Sequence, residues 1–288
     1  MIPIYKKELR AYFTQMVGYA FLGFMLLLIG MFFTFVNVFG RNPHFSNTLE
    51  TASILFFILV PILTMRLFSE EARHKTDQLL FTSPLSVFQI VMGKFCAAFS
   101  LFLIGMGITL IFPLIMSQYA TTLPVAHTVG AYIGFILIGA CCIAVGMFIS
   151  VLTDNQIIAA VATFASIYVM FIMESIAFTM PISAAASFVF VALVIVAVAG
   201  IWFYSTRHKL TSALLALIGI GVAFGLYQYN NLIYDAIIIR VLLWFSLYTR
   251  FTVLSMGILH IADLVYYVSF VFLFVYLTIN IIEKRRWR

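Results

Sequence analysis

Long apolar runs separated by short polar segments dominate the chain. A helix needs about 20 apolar residues to cross the hydrocarbon core of a bilayer, and eight runs are of that kind. The predicted spans are Val17–Phe39, Thr51–Phe68, Phe95–Met116, Thr128–Leu152, Gln156–Met180, Ala184–Tyr204, Thr211–Gln228 and Asp263–Ile282. A tight hairpin or one broken helix would leave the same pattern at the sixth and seventh runs, so six crossings remain an alternative.

The amino-acid composition also indicates a membrane protein. Of the 288 residues, 64% are hydrophobic and only 9% are charged, whereas a soluble domain carries about 25% charged residues. The chain could not cover a soluble surface with polar groups. We therefore predict an all-α polytopic membrane helix bundle, with residues 1–288 forming a single transmembrane domain.

The positive charges predict how the bundle is oriented. If the N-terminus is cytoplasmic and the chain crosses eight times, only Arg41, Arg240 and Arg250 lie outside. Thirteen cationic residues then lie inside: Lys6, Lys7, Arg10, Arg66, Arg73, Lys75, Lys94, Arg207, Lys209, Lys284, Arg285, Arg286 and Arg288. Cytoplasmic loops of membrane proteins are enriched in Lys and Arg. This bias predicts cytoplasmic termini and explains the net charge of +6 without nucleic acid.

Residues 1–16 form a polar leader before the first span. Tyr5, Leu9, Tyr12, Phe13 and Met16 recur at helical spacing, and the basic residues of the leader lie off that stripe. The pattern predicts an elbow helix lying in the cytoplasmic interface. A simple extension of span one is the alternative. The first apolar run is too long for the core of a cleavable signal peptide.

Residues 69–94 form the longest cytoplasmic stretch. Glu71 and Lys75 stand four apart with the acid first, which favours a helical ion pair. Ser83 followed by Pro84 predicts the start of a helix leading into span three. The apolar run 79–81 in a polar loop indicates a docking surface, although a loop folded back on its own bundle would show the same pattern.

Residues 229–262 form a second non-spanning stretch, on the external side. It contains two apolar pieces, Asn231–Leu247 and Phe251–Ile261. Asp235, Arg240 and Arg250 argue against a further crossing. Short external helices dipping into the outer leaflet would keep the backbone hydrogen-bonded there.

Catalytic motifs are absent from the sequence. Gly93-Lys94 lacks the upstream glycine and the following Ser or Thr of a phosphate-binding loop. None of the five histidines has another histidine or a cysteine three or four residues away, so we predict no metal site. We interpret Cys141 and Cys142, in the fourth predicted span, as packing residues. We therefore predict no catalytic residue and no cofactor bound by this chain.

Glu174 is the one acid deep inside a predicted span. A charge at that depth costs about 3 kcal/mol on insertion scales, so Glu174 should face the bundle interior or be protonated. Two interpretations remain equally open. Glu174 lines a pathway or subunit interface, or it is a neutral, hydrogen-bonded acid that joins two helices.

Two blocks of sequence follow a pattern shared with a known family. The first block comprises Pro61–Arg66, Glu70–Glu71, Lys75–Leu80, Ser83–Pro84 and Gly93–Lys94. The second comprises Phe245–Phe251, Gly257–Ile258, Asp263–Tyr267 and Glu283–Arg288. Together they cover about a third of the chain, and they resemble permease subunits of the ABC-2 exporter superfamily, in the branch of the gliding-motility and nitrous-oxide-reductase-maturation permeases.

The resemblance implies a half-transporter with an elbow helix, a six-helix core and a coupling helix after span two. The coupling residues it implies are Glu70, Glu71, Lys75, Thr76, Asp77, Leu79, Leu80, Thr82 and Pro84. Two copies of a separate ATPase subunit would bind ATP and Mg²⁺, and a second permease, identical or homologous, would complete the pathway in a bacterial cell membrane. An extracellular auxiliary subunit is left open.

Two departures from the family pattern matter. Many relatives have Gly-Thr-Glu where this chain has Lys75-Thr76-Asp77, and spans six and seven look like a hairpin added to the core. The function we expect is a permease subunit, not an enzyme, acting in export. The alternatives are an ion-coupled secondary transporter using Glu174 and an intramembrane lipid-acting enzyme using His127 and His260.

Overall fold

The computed structural model describes residues 1–75, 85–119, 124–181, 183–206, 209–229 and 234–286. All regular secondary structure within these ranges is helical, which confirms the all-α prediction. The helices are α1 (Ile2–Thr14), α2 (Val17–Phe33), α3 (Phe45–Ala52), α4 (Phe56–Thr64), α5 (Ser69–Arg73), α6 (Val87–Thr109), α7 (Ile111–Tyr119), α8 (Val125–Leu152), α9 (Gln156–Thr179), α10 (Ala184–Thr206), α11 (Lys209–Tyr229), α12 (Ile237–Phe245), α13 (Leu247–Ser255) and α14 (Ile261–Arg286).

Seven helical stretches among the described residues are long and apolar enough to cross a membrane. They are Val17–Phe39, Phe45–Arg73, Val87–Gln118, Val125–Leu152, Gln156–Thr179, Leu210–Tyr229 and Ile261–Arg285. Their length and composition indicate a multi-pass membrane protein. The remaining predicted span lies in α10, whose apolar part, Ala184–Gly200, is shorter.

The chain forms two compact units. The first comprises Met1–Met170 together with Leu247–Arg288, and the second comprises Phe171–Ser246. In the second unit α10 packs along α11, and Tyr234 donates a hydrogen bond to the Ala223 carbonyl at 2.8 Å.

Helix α8 is the centre of the first unit. Over its 18 most apolar consecutive residues, 78% are buried, a larger fraction than in any other candidate span among the described residues. Small residues let neighbouring helices approach it: a Cβ at Gly139 would lie 2.5 Å from the Phe102 ring. Around this point the rings of Phe56, Phe102 and Phe135 lie 4.6–6.1 Å apart and fill the core. Because α8 is enclosed by its neighbours, segments that bond to it are held in a fixed place.

The second span begins earlier than its hydropathy predicts. It starts at Phe45 rather than Thr51, passes through a 3₁₀ turn at Ser53–Leu55 and contains Pro61 within α4. Its first turns bury polar Thr48, whose hydroxyl is hydrogen-bonded to the amide oxygen of buried Asn37. Because Asn37 accepts a hydrogen bond from the Thr48 hydroxyl, burying Thr48 costs little free energy. The polar stretch that contains Thr48 can therefore form the start of this helix.

Candidate functional site

Three segments that are distant in sequence meet at the side chain of Lys94, near the start of α6. Lys94 is only 1% exposed. Its Nζ donates to Glu8 Oε1 at 3.0 Å, to Glu71 Oε1 at 2.9 Å and to the Leu67 carbonyl at 2.7 Å. An ammonium has three donors, and all three are used here. We call this cluster of Lys94, Glu8, Glu71 and the Leu67 carbonyl the Lys94 junction.

The electrostatics of the Lys94 junction explain how a cation is tolerated in a buried place. Two carboxylates face the ammonium, and the Phe68 ring lies 5.1 Å from Nζ, within cation–π range. The carboxylate side chains are 16% and 17% exposed, so they keep part of their hydration. A buried ion pair is tolerated when its remaining hydrogen-bonding groups are satisfied, and this cluster meets that condition.

The elbow helix α1 is held against α6 by close backbone approach. A Cβ at Gly93 would lie 3.0 Å from the Ile4 side chain, so glycine makes room for buried Ile4. The Tyr5 hydroxyl donates to Ser100 Oγ at 3.1 Å. These contacts place Glu8, one helical turn beyond Ile4, beside Lys94.

Tyr12 ties the far end of α1 to the second span. Its hydroxyl donates to the Leu63 carbonyl at 3.4 Å. Burial raises the pKa of the Tyr12 hydroxyl above its ordinary value, and the nearby negative charge of Glu8 raises it further. The hydroxyl therefore remains a protonated donor at physiological pH.

The turn that carries Leu67 is anchored to the central helix through Ser150 of α8. Ser150 Oγ accepts from the Phe68 and Ser69 amides at 3.1 and 3.2 Å and donates to the Met65 carbonyl at 3.3 Å. Ser69 Oγ also donates to the Met65 carbonyl. One hydroxyl thus satisfies backbone groups left open between α4 and α5, so the position of α5 is coupled to α8.

A polar cavity of about 50 Å³ lies between α1 and this turn. Glu8, Tyr12, Gln15, Arg66 and Glu70 contribute its polar lining. The Arg66 Nε atom is enclosed and has no hydrogen-bond partner in the described part of the chain. Arg66 shares this cavity with Glu8 of α1 and Glu70 of α5, so charges of both signs line it.

Three of the predicted coupling residues belong to the described chain. Glu70 lines the cavity, Glu71 binds Lys94, and Lys75 is exposed. The expected helical pairing of Glu71 with Lys75 needs correction: α5 ends at Arg73 and Lys75 adopts a left-handed conformation with φ of +55°, so the two do not share a helix face. The other predicted coupling residues lie outside the described residues: Thr76, Asp77, Leu79, Leu80, Thr82 and Pro84.

The start of α6 also differs from the predicted one. Ser86 caps it by accepting from the Gln89 amide at 3.3 Å, and the helix begins at Val87. Ser83, like Pro84, is outside the described residues. The prediction placed Lys94 among the cytoplasmic cations but did not assign it a role, and it missed Glu8. A lone lysine just before a long apolar run is the one sequence signal that could have identified the junction.

Glu174 lies in α9, in the second unit. Its Oε2 atom is enclosed and has no hydrogen-bond partner among the residues that the structure describes. Among the described residues no group of three or more His, Cys, Asp or Glu side chains is placed to hold a metal ion. Cys141 and Cys142 are buried in α8 as free thiols.

Comparison with known proteins assigns no family to this chain. No family model, no curated protein and no solved structure matches the chain.

Proposed function

We propose that this chain is the permease subunit of an ABC exporter. It would form half of a translocation pathway with a second permease, identical or homologous, in a bacterial cell membrane. Both termini would be cytoplasmic, as the distribution of Lys and Arg favours. The helices around α8 would then correspond to the six-helix core of the ABC-2 permeases, and α10 and α11 would form an added hairpin.

The Lys94 junction is the observation that carries this proposal. A permease driven by a separate ATPase needs a rigid connection between the segment that contacts the ATPase and the helices that line the pathway. The junction joins α5, directly before residues 76–84, to the start of α6 and to α1. Movement of that segment would therefore be transmitted to α4 and α6 together rather than absorbed in a loose loop.

In this mechanism two ATPase subunits bind ATP with Mg²⁺ and close on each other. Each moves a coupling segment at residues 70–84, and α4 and α6 tilt between inward-facing and outward-facing states. The ATPase biases the permease only through contacts that differ between the two states. The permease itself supplies no catalytic group to the hydrolysis of ATP.

Charge reversal in the coupling segment tests the proposal. Asp77→Arg should weaken co-purification of the ATPase subunit, or lower the ATPase activity that depends on the permease, while the permease stays folded. Asp154→Arg is the matched control, because Asp154 is exposed in the loop after α8 and its ion pair with Arg285, at 3.8 Å, is long. Glu71→Arg would be a poor choice since it places a cation against Lys94.

Equal ATPase binding and stimulation in wild type and Asp77→Arg would contradict docking at this segment. A loss of the same size in Asp154→Arg would show that any added cation on this side disturbs the complex, and would also count against the assignment.

A second candidate function is ion-coupled secondary transport, for which the enclosed Oε2 of Glu174 is the supporting observation. An acid without a hydrogen-bond partner in an apolar helix could take up and release a proton or bind a cation. Uptake into vesicles that follows a pH gradient, needs no ATP and is abolished by Glu174→Gln would favour this function over the ABC exporter.

A further inference from the structure

Two histidines that are far apart in sequence come together at the end of the first unit opposite the Lys94 junction. His44 directly precedes α3, and His127 lies in the first turn of α8. Their ring centroids are 5.3 Å apart and their planes meet at 66°. Neither residue has a second histidine nearby in sequence, so only the fold makes this pair.

One ring nitrogen of the pair has no hydrogen-bond partner in the part of the chain that the structure describes. His127 Nδ1 is enclosed, with no hydrogen-bond partner among the described residues. A neutral imidazole has one donor and one acceptor nitrogen, and leaving either of them buried and unpaired is unfavourable. A ligand between the two rings would satisfy this atom, and the chemistry of that ligand must suit two imidazoles.

The backbone on both sides of the pair is fixed. The His44 amide donates to Asn42 Oδ1 at 2.9 Å, and the His44 carbonyl accepts from Asn37 Nδ2 at 3.1 Å. On the other side Gly257, with φ of +78°, packs against the backbone of Ala126 and His127, where a Cβ would lie 3.1–3.2 Å away. Rings that are already positioned lose less entropy when they bind a ligand.

We propose that His44 and His127 form a binding site for a divalent transition-metal ion of the borderline class, Cu²⁺, Ni²⁺ or Zn²⁺. Imidazole nitrogen suits these ions, whereas Mg²⁺ and Ca²⁺ prefer oxygen ligands. Because no third protein ligand of the His, Cys, Asp or Glu type joins the pair among the described residues, water completes the coordination shell. Both histidines are half-buried rather than fully enclosed, so an ion can reach the pair from outside the protein.

Metal binding by the purified full-length chain tests the site. The protein is prepared without a histidine tag, and Cu²⁺, Ni²⁺, Zn²⁺ and Mg²⁺ are titrated separately by calorimetry. We expect one equivalent of each transition ion to bind, Cu²⁺ most tightly, and Mg²⁺ not to compete. The electron paramagnetic resonance spectrum of the Cu²⁺ form should show nitrogen coordination.

Single substitutions assign the ligands. His44→Ala and His127→Ala should each weaken Cu²⁺ binding by about tenfold or more, the loss that corresponds to about 1.4 kcal/mol. His260→Ala is the matched control, because His260 is an exposed histidine before α14 and should leave binding unchanged. In the wild-type protein, Zn²⁺ should also slow modification of His44 and His127 by diethyl pyrocarbonate but not that of His260.

The site is wrong if the wild-type chain binds no transition ion, or if His260→Ala removes binding as strongly as His44→Ala does. Equal modification of all three histidines with and without Zn²⁺ would also overturn it, since that measurement needs no variant that has to fold. The ring pair would then be an aromatic contact without a ligand.

Discussion

Replacing Lys94 by methionine removes the charge of the Lys94 junction while keeping an unbranched side chain of similar length. The Coulomb attraction in each ion pair, at 3.0 and 2.9 Å, is about 5.5 kcal/mol at an effective dielectric constant near 20, before desolvation is subtracted. Removing one partner of a buried pair costs about 3–5 kcal/mol because the other charge is left unpaired. The two carboxylates are partly exposed, so we expect about 3 kcal/mol, the lower end of that range.

The assay is thermal unfolding of the purified chain in detergent. A loss of that size should lower the apparent melting temperature by roughly 5–10 °C. Lys7→Met is the matched control: Lys7 is an exposed lysine on α1, and its replacement should change the melting temperature little.

A double-mutant cycle separates charge from packing. Glu71→Gln should destabilise the wild-type protein, because it weakens the bond to Lys94. In the Lys94→Met background the same change should have a smaller effect, since the bond to Lys94 that it weakens is already absent. Equal melting temperatures for Lys94→Met and Lys7→Met would show that the charge of Lys94 does not stabilise the fold. An effect of Glu71→Gln that is the same in both backgrounds would show that Glu71 and Lys94 are not coupled.

Three further predictions concern single positions. Gly93→Leu should displace α1 from α6 and destabilise the protein by about 1–3 kcal/mol, whereas Gly107→Leu on the same helix has nothing within 4 Å and should have little effect in the same melting assay. Asn37→Ala removes side-chain hydrogen bonds to two backbone carbonyls at 2.7 and 3.1 Å, and the melting curve should show a loss of about 2 kcal/mol. Glu174→Gln should leave ATP-driven transport intact; loss of transport with an unchanged melting temperature would instead assign Glu174 to the pathway.

The helical spans could be predicted from the sequence because one physical requirement fixes them. A run must be apolar for the thickness of the hydrocarbon core, and that can be read residue by residue. The start of the second span could not be predicted from its apolar residues. Its first turns contain polar residues whose burial depends on Asn37, a partner outside the helix.

The Lys94 junction shows a second limit of sequence reasoning. Glu8, Glu71 and Lys94 each fit the expected polar flank of a span, and nothing in their spacing pairs them. Their contact depends on α1 lying against α6 at Gly93 and on the turn held by Ser150. The same holds for the contact between His44 and His127, since a rule based on spacing along one helix cannot detect a pair that comes from two different segments.

We propose that this chain is a passive pathway and that a separate ATPase supplies the energy. The most direct test of this proposal is transport of fluorescent amphipathic probes in vesicles that contain the purified chain, with ATP and Mg²⁺ on the side of the termini. The chain alone should neither hydrolyse ATP nor accumulate a probe, and accumulation should begin when the ATPase subunit that co-purifies with it is added. Accumulation of a probe against its gradient by the chain alone would show that the chain is itself an active transporter and not a passive pathway.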